Sequence, residues 1–344
     1  MMRSIKLLLL PLSFIYLLIT KLRNKFYDWG IFRSRELGVP VISVGNIAVG
    51  GTGKTPFTIS LTNYMIDRGF SPVIITRGYK KKSKGQVIIS KGEKPLVSAD
   101  LAGDEPYLMA QRTAACVIAD PDRYQAGLTA VKRLNCDLII ADDAFQHRKL
   151  KRDINIVLWD SSHNPKTSKP LPAGYLRESL TGIKRADYLV FTRINSVDSN
   201  LAEYFRQYNA IPHYAAPLIT QKLYKEKNEA ELEISKIENR KVLAFCGLGN
   251  PTQFFKTVEK LEPKLIIKRK FPDHYKYTAE NLEELLEMGR KNKIDYLITT
   301  EKDLANFPSN HVPDEKILIL QVKMEINSNL LSEILKKCNQ KANI

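Results

Sequence analysis

No part of this 344-residue chain restricts its fold more than Val41-Ile42-Ser43-Val44-Gly45-Asn46-Ile47-Ala48-Val49-Gly50-Gly51-Thr52-Gly53-Lys54-Thr55-Pro56. The leading apolar, β-branched run reads as a strand that stops at Gly45. Pro56 marks a helix start, where its missing N–H costs nothing, and Phe57, Ile59, Leu61, Met65 and Ile66 give that helix an apolar side. Between them lies a loop in which glycines let successive backbone N–H groups turn inward on phosphate oxygens, while the helix N-terminus adds its positive end. Ala48, Val49, Gly50, Gly51, Thr52, Gly53, Lys54 and Thr55 are therefore candidate nucleotide-binding residues. Lys54 is in register to reach the β- and γ-phosphates of ATP, and the Thr55 hydroxyl a Mg²⁺ ion. The strict form of this loop has glycine where the chain has Ala48. An ordinary glycine-rich turn is the alternative, and the flanking strand and helix argue against it.

Strand-like and helix-like segments go on alternating after the loop. Val73–Thr76, Val87–Ile89, Ala115–Ala119, Leu138–Ala141, Ile154–Trp159 and Tyr188–Thr192 read as strands, with helices at Glu105–Arg112 and Tyr124–Leu134 among them. Continuous apolar strands between helices predict a doubly wound α/β domain, a parallel sheet covered on both faces. A second, smaller α/β unit begins near Lys241, with strands at Val242–Phe245, Leu265–Ile267 and Tyr296–Thr299. Two extended pieces, Ala210–Tyr224 and Ile317–Val322, are expected to pair as a hinge. The chain is long for a single core. By pattern it divides into an N-terminal membrane-associated helix (1–25), a P-loop domain (26–212), an extended linker (213–240), a smaller α/β domain (241–316), and a returning strand with a C-terminal helix (317–344).

Charge narrows the partners. Lys plus Arg exceeds Asp plus Glu by 53 to 37, which favours nucleic acid, an anionic membrane or a phosphorylated substrate. Leu7–Thr20 carries no charge and is followed by Lys21, Arg23 and Lys25. It is short against the ~20 apolar residues of a spanning helix. A signal peptide would want a small-residue cleavage site, which is missing. The segment is expected to dip into one leaflet with its basic residues at the headgroups, a buried core helix being the alternative. Cys116, Cys136, Cys246 and Cys338 are scattered, as expected of buried free thiols rather than a zinc site.

A nucleotide site also needs acid to hold its metal. Leu138–Ala141 ends in Asp142-Asp143, and such strand ends point into the ligand crevice, so Asp142 is the candidate Mg²⁺ ligand. Asp104-Glu105 reads equally well as a helix N-terminus or as chemistry. Arg77, Tyr79, Arg123 and His147 are possible anion or sugar contacts, and His274 stands in a loop before a helix.

Together these pieces resemble the tetraacyldisaccharide 4′-kinase family, the lipid A 4′-kinases. The matching segments are SVGNIAVGGTGKTP (43–56), TRGY (76–79), GDEP (103–106), DR (122–123), DDAFQHRKL (142–150), LPAGYLRE (171–178), CGLGNP (246–251), FPDHYKYT (271–278) and TEKD (300–303). Ala48 and Ala144 depart from the residues associated with those positions. The resemblance implies transfer of the ATP γ-phosphate to the 4′-hydroxyl of a tetraacylated glucosamine disaccharide 1-phosphate. It implies Asp104 as base with His274 across the cleft; because the two lie 170 residues apart and read as belonging to different domains, they are expected to meet only once the cleft closes around substrate. It further implies Lys54 and Asp142 in catalysis, and Thr55, Asp142 and Glu105 at the metal. Asn46, Arg77, Tyr79, Arg123, Asp143, Gln146, His147 and Arg177 would face the acceptor. The expected setting is the cytoplasmic face of the inner membrane, with the acylated lipid as partner, no nucleic acid and no obligate protein partner. A deviant-Walker ATPase would carry a signature Lys where this chain has Val49. A nucleic-acid-binding protein would show a clustered basic stripe with interleaved aromatics, which is not seen.

Overall fold

The structure, a computed structural model, describes residues 9–208, 211–308 and 310–342. Leu7, Leu8 and Ala210 therefore lie outside the described residues, although the predicted segments include them. After α1 (Leu10–Asp28) comes β1 (Val41–Asn46), buried at every position. Burial on both faces is why β1 reads as a continuous apolar run instead of an alternating one. There follow α2 (Lys54–Asp67), β2 (Pro72–Thr76), β3 (Val87–Lys91), α3 (Ala99–Ala102), α4 (Asp104–Arg112), β4 (Cys116–Ala119) and α5 (Arg123–Arg133). Then come β5 (Leu138–Asp142), β6 (Ile154–Asp160), β7 (Tyr188–Thr192), α6 (Ser199–Arg206) and β8 (His213–Ala216).

These strands form one eight-stranded sheet in the order β3-β4-β2-β5-β1-β6-β7-β8. Neighbours run parallel except β3, which lies antiparallel to β4 at the edge. The sheet is thus mixed rather than purely parallel. Apolar periodicity reports burial and not the direction of the neighbouring strand, so this edge could not be read beforehand. From β1 the chain leaves toward β2 on one side and later crosses to β6 on the other. That reversal opens a crevice at the carboxyl ends of the central strands. Beneath it α2 packs Phe57, Leu61 and Met65 on Ile42, Val44, Ile140 and Ile156. Truncating Phe57, which is fully buried, to Ala would cost about 3–5 kcal/mol.

The second unit holds β9 (Leu218–Lys225), β10 (Glu231–Leu232), β11 (Lys241–Cys246), α7 (Pro251–Glu259), β12 (Leu265–Lys270), α8 (Ala279–Lys291), β13 (Tyr296–Thr300), α9 (Glu301–Leu304) and β14 (Ile317–Met324). Its six-stranded sheet runs β10-β9-β14-β13-β11-β12. The two extended pieces do pair, as β9 and β14, antiparallel from Leu318 opposite Lys225 to Met324 opposite Leu218. The two chain crossings between the sheets lie side by side, with the Glu325 N–H donating to the Pro217 carbonyl at 2.9 Å. The last helix, α10 (Ser328–Ala342), returns to the first sheet, where Leu330, Ile334 and Cys338 join the cluster under β1.

Helix α1 lies against the first unit through its polar side. Ser13 Oγ accepts from the Ala173 N–H at 2.9 Å, Tyr16 donates to the Arg177 carbonyl at 2.7 Å, and Asn24 donates to Glu178 at 3.1 Å. Its other side leaves Leu12, Phe14, Ile15, Leu18, Ile19 and Leu22 exposed. The core-helix alternative is excluded by that row. No helix among the described residues is long and apolar enough to cross a membrane.

Candidate active site

The glycine-rich loop closes over the carboxyl end of β1. Gly45 has no room for a side chain, since a Cβ there would fall 2.6 Å from Phe145 Cβ, so the Asp142–Gln146 turn can cross the strand end. Gly53 takes φ 87° at the start of α2, a left-handed conformation that glycine adopts without strain. Asn46, which is fully buried, donates to Thr52 Oγ1 at 2.8 Å and ties the loop back to its strand. Lys54, in the first turn of α2, puts Nζ 3.7 Å from Asp143 Oδ1. The Thr55 side chain is half-buried in the same turn.

Asp142 ends β5 with both oxygens engaged. Thr58 donates to Oδ1 at 3.2 Å and Thr76 to Oδ2 at 3.3 Å. Burial, then the like charges of Asp143 and Glu105, push its carboxyl up to about 7 against the pull of Lys54 and Arg123. Asp143, with φ 48°, turns the other way and takes Arg177 Nη1 on both oxygens, at 2.7 and 2.8 Å. Burial raises its carboxyl, but Lys54 and Arg177 outweigh that and hold it below the ordinary range. Two adjacent carboxylates thus sit in opposed electrostatic settings.

Asp104 and His274 meet. His274 Nδ1 lies 2.8 Å from Asp104 Oδ2. Asp104 opens α4 and is 6% exposed. His274, at φ 59°, is anchored by its own N–H on the Gly247 carbonyl at 3.0 Å. Sequence reading missed two further partners of this carboxylate. Asn306 Nδ2 donates to Oδ2 at 2.9 Å, and Lys276 Nζ stands 3.6 Å from Oδ1. Burial pushes Asp104 up, yet these donors and the Lys276 charge prevail and hold it at about 2. Lys276 follows His274 in FPDHYKYT, whereas Asn306 stands outside every segment that drew notice.

The TEKD segment stitches the two units together. Thr300 caps α9, Glu301 pairs with Arg112 at 2.5 Å, and Lys302 donates to Glu105 at 3.3 Å. Asp303, buried, accepts from the Gly247 N–H and the Tyr277 hydroxyl, and so fixes the turn that carries His274.

The remaining predicted acceptor residues divide. Arg77 and Tyr79 are exposed beside the cleft, with the Tyr79 ring 5.8 Å from that of His274. Arg123 is buried and donates to the Pro121 carbonyl at 3.1 Å and the Asp143 carbonyl at 3.5 Å. Burial, aided by Arg123, lowers His147 to about 4, so it is neutral at physiological pH. Gln146 donates to the Asn46 carbonyl and to Glu178, both at 2.8 Å. Asn46 and Gln146 therefore brace the loop from behind. Arg193 is an unforeseen brace: it pairs with buried Asp160 at 2.6 Å and donates to the Gly51 carbonyl. No spacing in the sequence connects those three residues.

Comparisons with known proteins point to one family. A family model described as tetraacyldisaccharide-1-P 4′-kinase (LpxK) matches residues 5–339. The tetraacyldisaccharide 4′-kinase of Aquifex aeolicus is 38% identical over 325 residues, covering 92% of this chain and 94% of that protein. That of Desulfotalea psychrophila is 36% identical over 309 residues, covering 87% of each. A crystal structure described as the "apo" form of LpxK from Aquifex aeolicus in complex with ATP matches with a TM-score of 0.77 at 36% identity. It covers 98% of this chain and 99% of the other.

Proposed function

The chain belongs to the tetraacyldisaccharide-1-P 4′-kinase family, and on that premise we propose which of its residues carry out the ATP-dependent phosphorylation in lipid A biosynthesis. Asp104 is the base that takes the proton of the acceptor's 4′-hydroxyl as that oxygen bonds to the γ-phosphorus and the bond from that phosphorus to the β,γ-bridging oxygen breaks, the electron pair leaving with ADP. The single observation that carries this role is the 2.8 Å contact with His274, which orients Oδ2, while Oδ1 faces Lys276 Nζ at 3.6 Å. A sugar hydroxyl is a weak nucleophile until aligned, so positioning and charge neutralisation supply most of the acceleration. Lys54 and the backbone N–H groups of residues 48–55 hold the nucleotide phosphates. Arg77, Tyr79, Arg123, His147 and Arg177 face the acceptor.

The donors near the loop fit Mg²⁺, a hard cation that takes oxygen ligands and keeps phosphate oxygens and waters among them. Thr55, Asp142 and Glu105 would hold it. Burial, Asp143 and Glu105 make an ionised Asp142 costly, and a cation there relieves the cost. When bound, it would neutralise charge on the β- and γ-phosphates.

The exposed apolar row of α1 supports docking on a bilayer from which the acceptor's acyl chains need not leave. The cytoplasmic face of the inner membrane is the setting we infer. We also read residues 26–212 and 241–316 as two bodies linked through β9 and β14.

The test is transfer of labelled phosphate from ATP to the disaccharide 1-phosphate in mixed micelles. Asp104→Asn should lose transfer and keep nucleotide binding. Full transfer by that variant, or loss of nucleotide binding instead, would overturn the assignment.

A further inference from the structure

The crest of the glycine-rich loop is held by hydrogen bonds rather than by packing. Val49, Gly50 and Gly51 are exposed, and a Cβ added at Gly50 or Gly51 would meet no atom within 4 Å. Glycine in so open a stretch has the widest backbone freedom, and fixing one residue costs about 1–2 kcal/mol in entropy at 25 °C. Within the crest the Thr52 N–H donates to the Gly50 carbonyl at 3.0 Å. From outside, the Val49 N–H donates to the Tyr175 carbonyl at 2.7 Å, and Arg193 Nη2 donates to the Gly51 carbonyl. Arg193 follows β7 with φ 68°, a left-handed conformation that a residue other than glycine keeps only where its surroundings hold it. What holds it is Asp160 at the end of β6, 3% exposed, whose Oδ2 takes Arg193 Nη1 at 2.6 Å. Asp160 is fixed in turn by Ser162, which donates to Oδ1 through its N–H at 3.0 Å and its hydroxyl at 2.7 Å. His163 stands 3.7 Å from Oδ2 and lays its ring 4.4 Å from that of Tyr175. Both outside contacts of the crest therefore lead back to one buried carboxylate.

A buried ion pair adds little net stability once its desolvation is subtracted. What this one adds is direction: the planar guanidinium sets one arm on Asp160 and the other on the loop. A loop already held at Gly51 has less freedom to lose when phosphate arrives, and binding is tighter by that difference. We propose that Arg193, seated on Asp160, is a positioning residue that keeps the loop ready for ATP through the Gly51 carbonyl and so sets nucleotide affinity. This rests on the reading above that residues 48–55 hold the nucleotide phosphates, and deepens it. Arg193 acts through the loop and not on the reacting atoms. It therefore governs the KM for ATP and leaves the acceptor side of the cleft, with Asp104 and His274, undisturbed.

Arg193→Lys separates the two contacts, since an ammonium keeps the charge opposite Asp160 but lacks the fork that reaches Gly51 at the same time. In isothermal titration of the full chain with ATP, this variant should bind about tenfold to a hundredfold more weakly than wild type, as expected for one lost charge-assisted hydrogen bond. The KM for ATP should rise with it, while kcat at saturating ATP, the KM for the acceptor and the melting temperature stay near wild type. Should Arg193→Lys not fold, Asp160→Asn unseats the guanidinium with a side chain of the same shape and should weaken ATP binding in the same way. Unchanged ATP affinity in a folded variant would overturn the proposal. So would a loss of affinity that merely tracks a lower melting temperature and a higher acceptor KM, which would make Arg193 a brace of the fold alone. Lys54→Ala in the same titration tests the underlying reading separately: if it binds ATP as tightly as wild type, the phosphate-loop assignment itself falls.

Discussion

Asp104 at the start of α4 and His274 in the turn after β12 are 170 residues apart in sequence and belong to different units, yet their side chains share a 2.8 Å hydrogen bond. Asn306 holds the same carboxylate oxygen from a third direction at 2.9 Å. The contact spans both units, so anything that separates them also dismantles the base. If the pair acts as one unit, Asp104→Asn and His274→Ala should each lower kcat by ~10²–10⁴ while ATP affinity stays near wild type. The double variant should be little worse than the worse single one. Additive losses accompanied by weakened ATP binding would mean two independent binding residues.

Acid should expose the support that Asp104 receives. Its carboxyl is held at about 2, below the ~3.9 of an unfolded chain. A depressed value contributes stability above the unfolded pKa, and that contribution fades as pH falls toward about 2. Asn306→Leu removes one donor to the anion and raises the value. Its deficit relative to wild type should therefore be fully present at neutral pH and shrink between about pH 4 and pH 2. Urea unfolding across that range is the measurement, and a deficit independent of pH would sink the explanation.

Lys54→Ala and Asp142→Ala should each abolish phosphoryl transfer and leave the circular dichroism spectrum unchanged. The first removes the charge offered to the phosphates, the second a carboxylate at the metal position. Near wild-type kcat in either well-folded variant would refute the loop assignment.

Membrane docking should follow the exposed side of α1. Phe14→Gln combined with Leu18→Gln removes apolar surface without touching Ser13, Tyr16 or Asn24, which hold the helix in place. Co-sedimentation with lipid vesicles should fall, while turnover of a short-chain, soluble acceptor should not. Undiminished sedimentation would dismiss the apolar row as the anchor.

Arg112 and Glu301 form the buried ion pair between α4 and α9, each side chain about nine-tenths covered (12% and 11% exposed). Arg112→Met strands a buried carboxylate and should cost about 3–5 kcal/mol in urea unfolding. Adding Glu301→Leu should recover much of that loss. A double variant as unstable as the single would show that packing, not charge, is what Arg112 supplies.

The sequence alone determined the elements made of continuous patterns. β1, the glycine-rich loop and the start of α2 are legible because burial on both faces, left-handed glycines and a helix-starting proline each leave a local mark. β9 was legible as an extended piece from Pro212 and Pro217, and β14 as an apolar run. The motifs named Lys54, Asp104, Asp142 and His274, and their order along the chain named the family. Only the tertiary structure decided the rest. That β3 runs antiparallel, that Asn306 and Lys276 hold Asp104, and that Arg193 reaches Gly51 are all facts of long-range approach. A hydrogen bond between residues far apart depends on where two elements pack, and packing is set by the sum of many buried contacts. No residue type or spacing in the sequence records that sum.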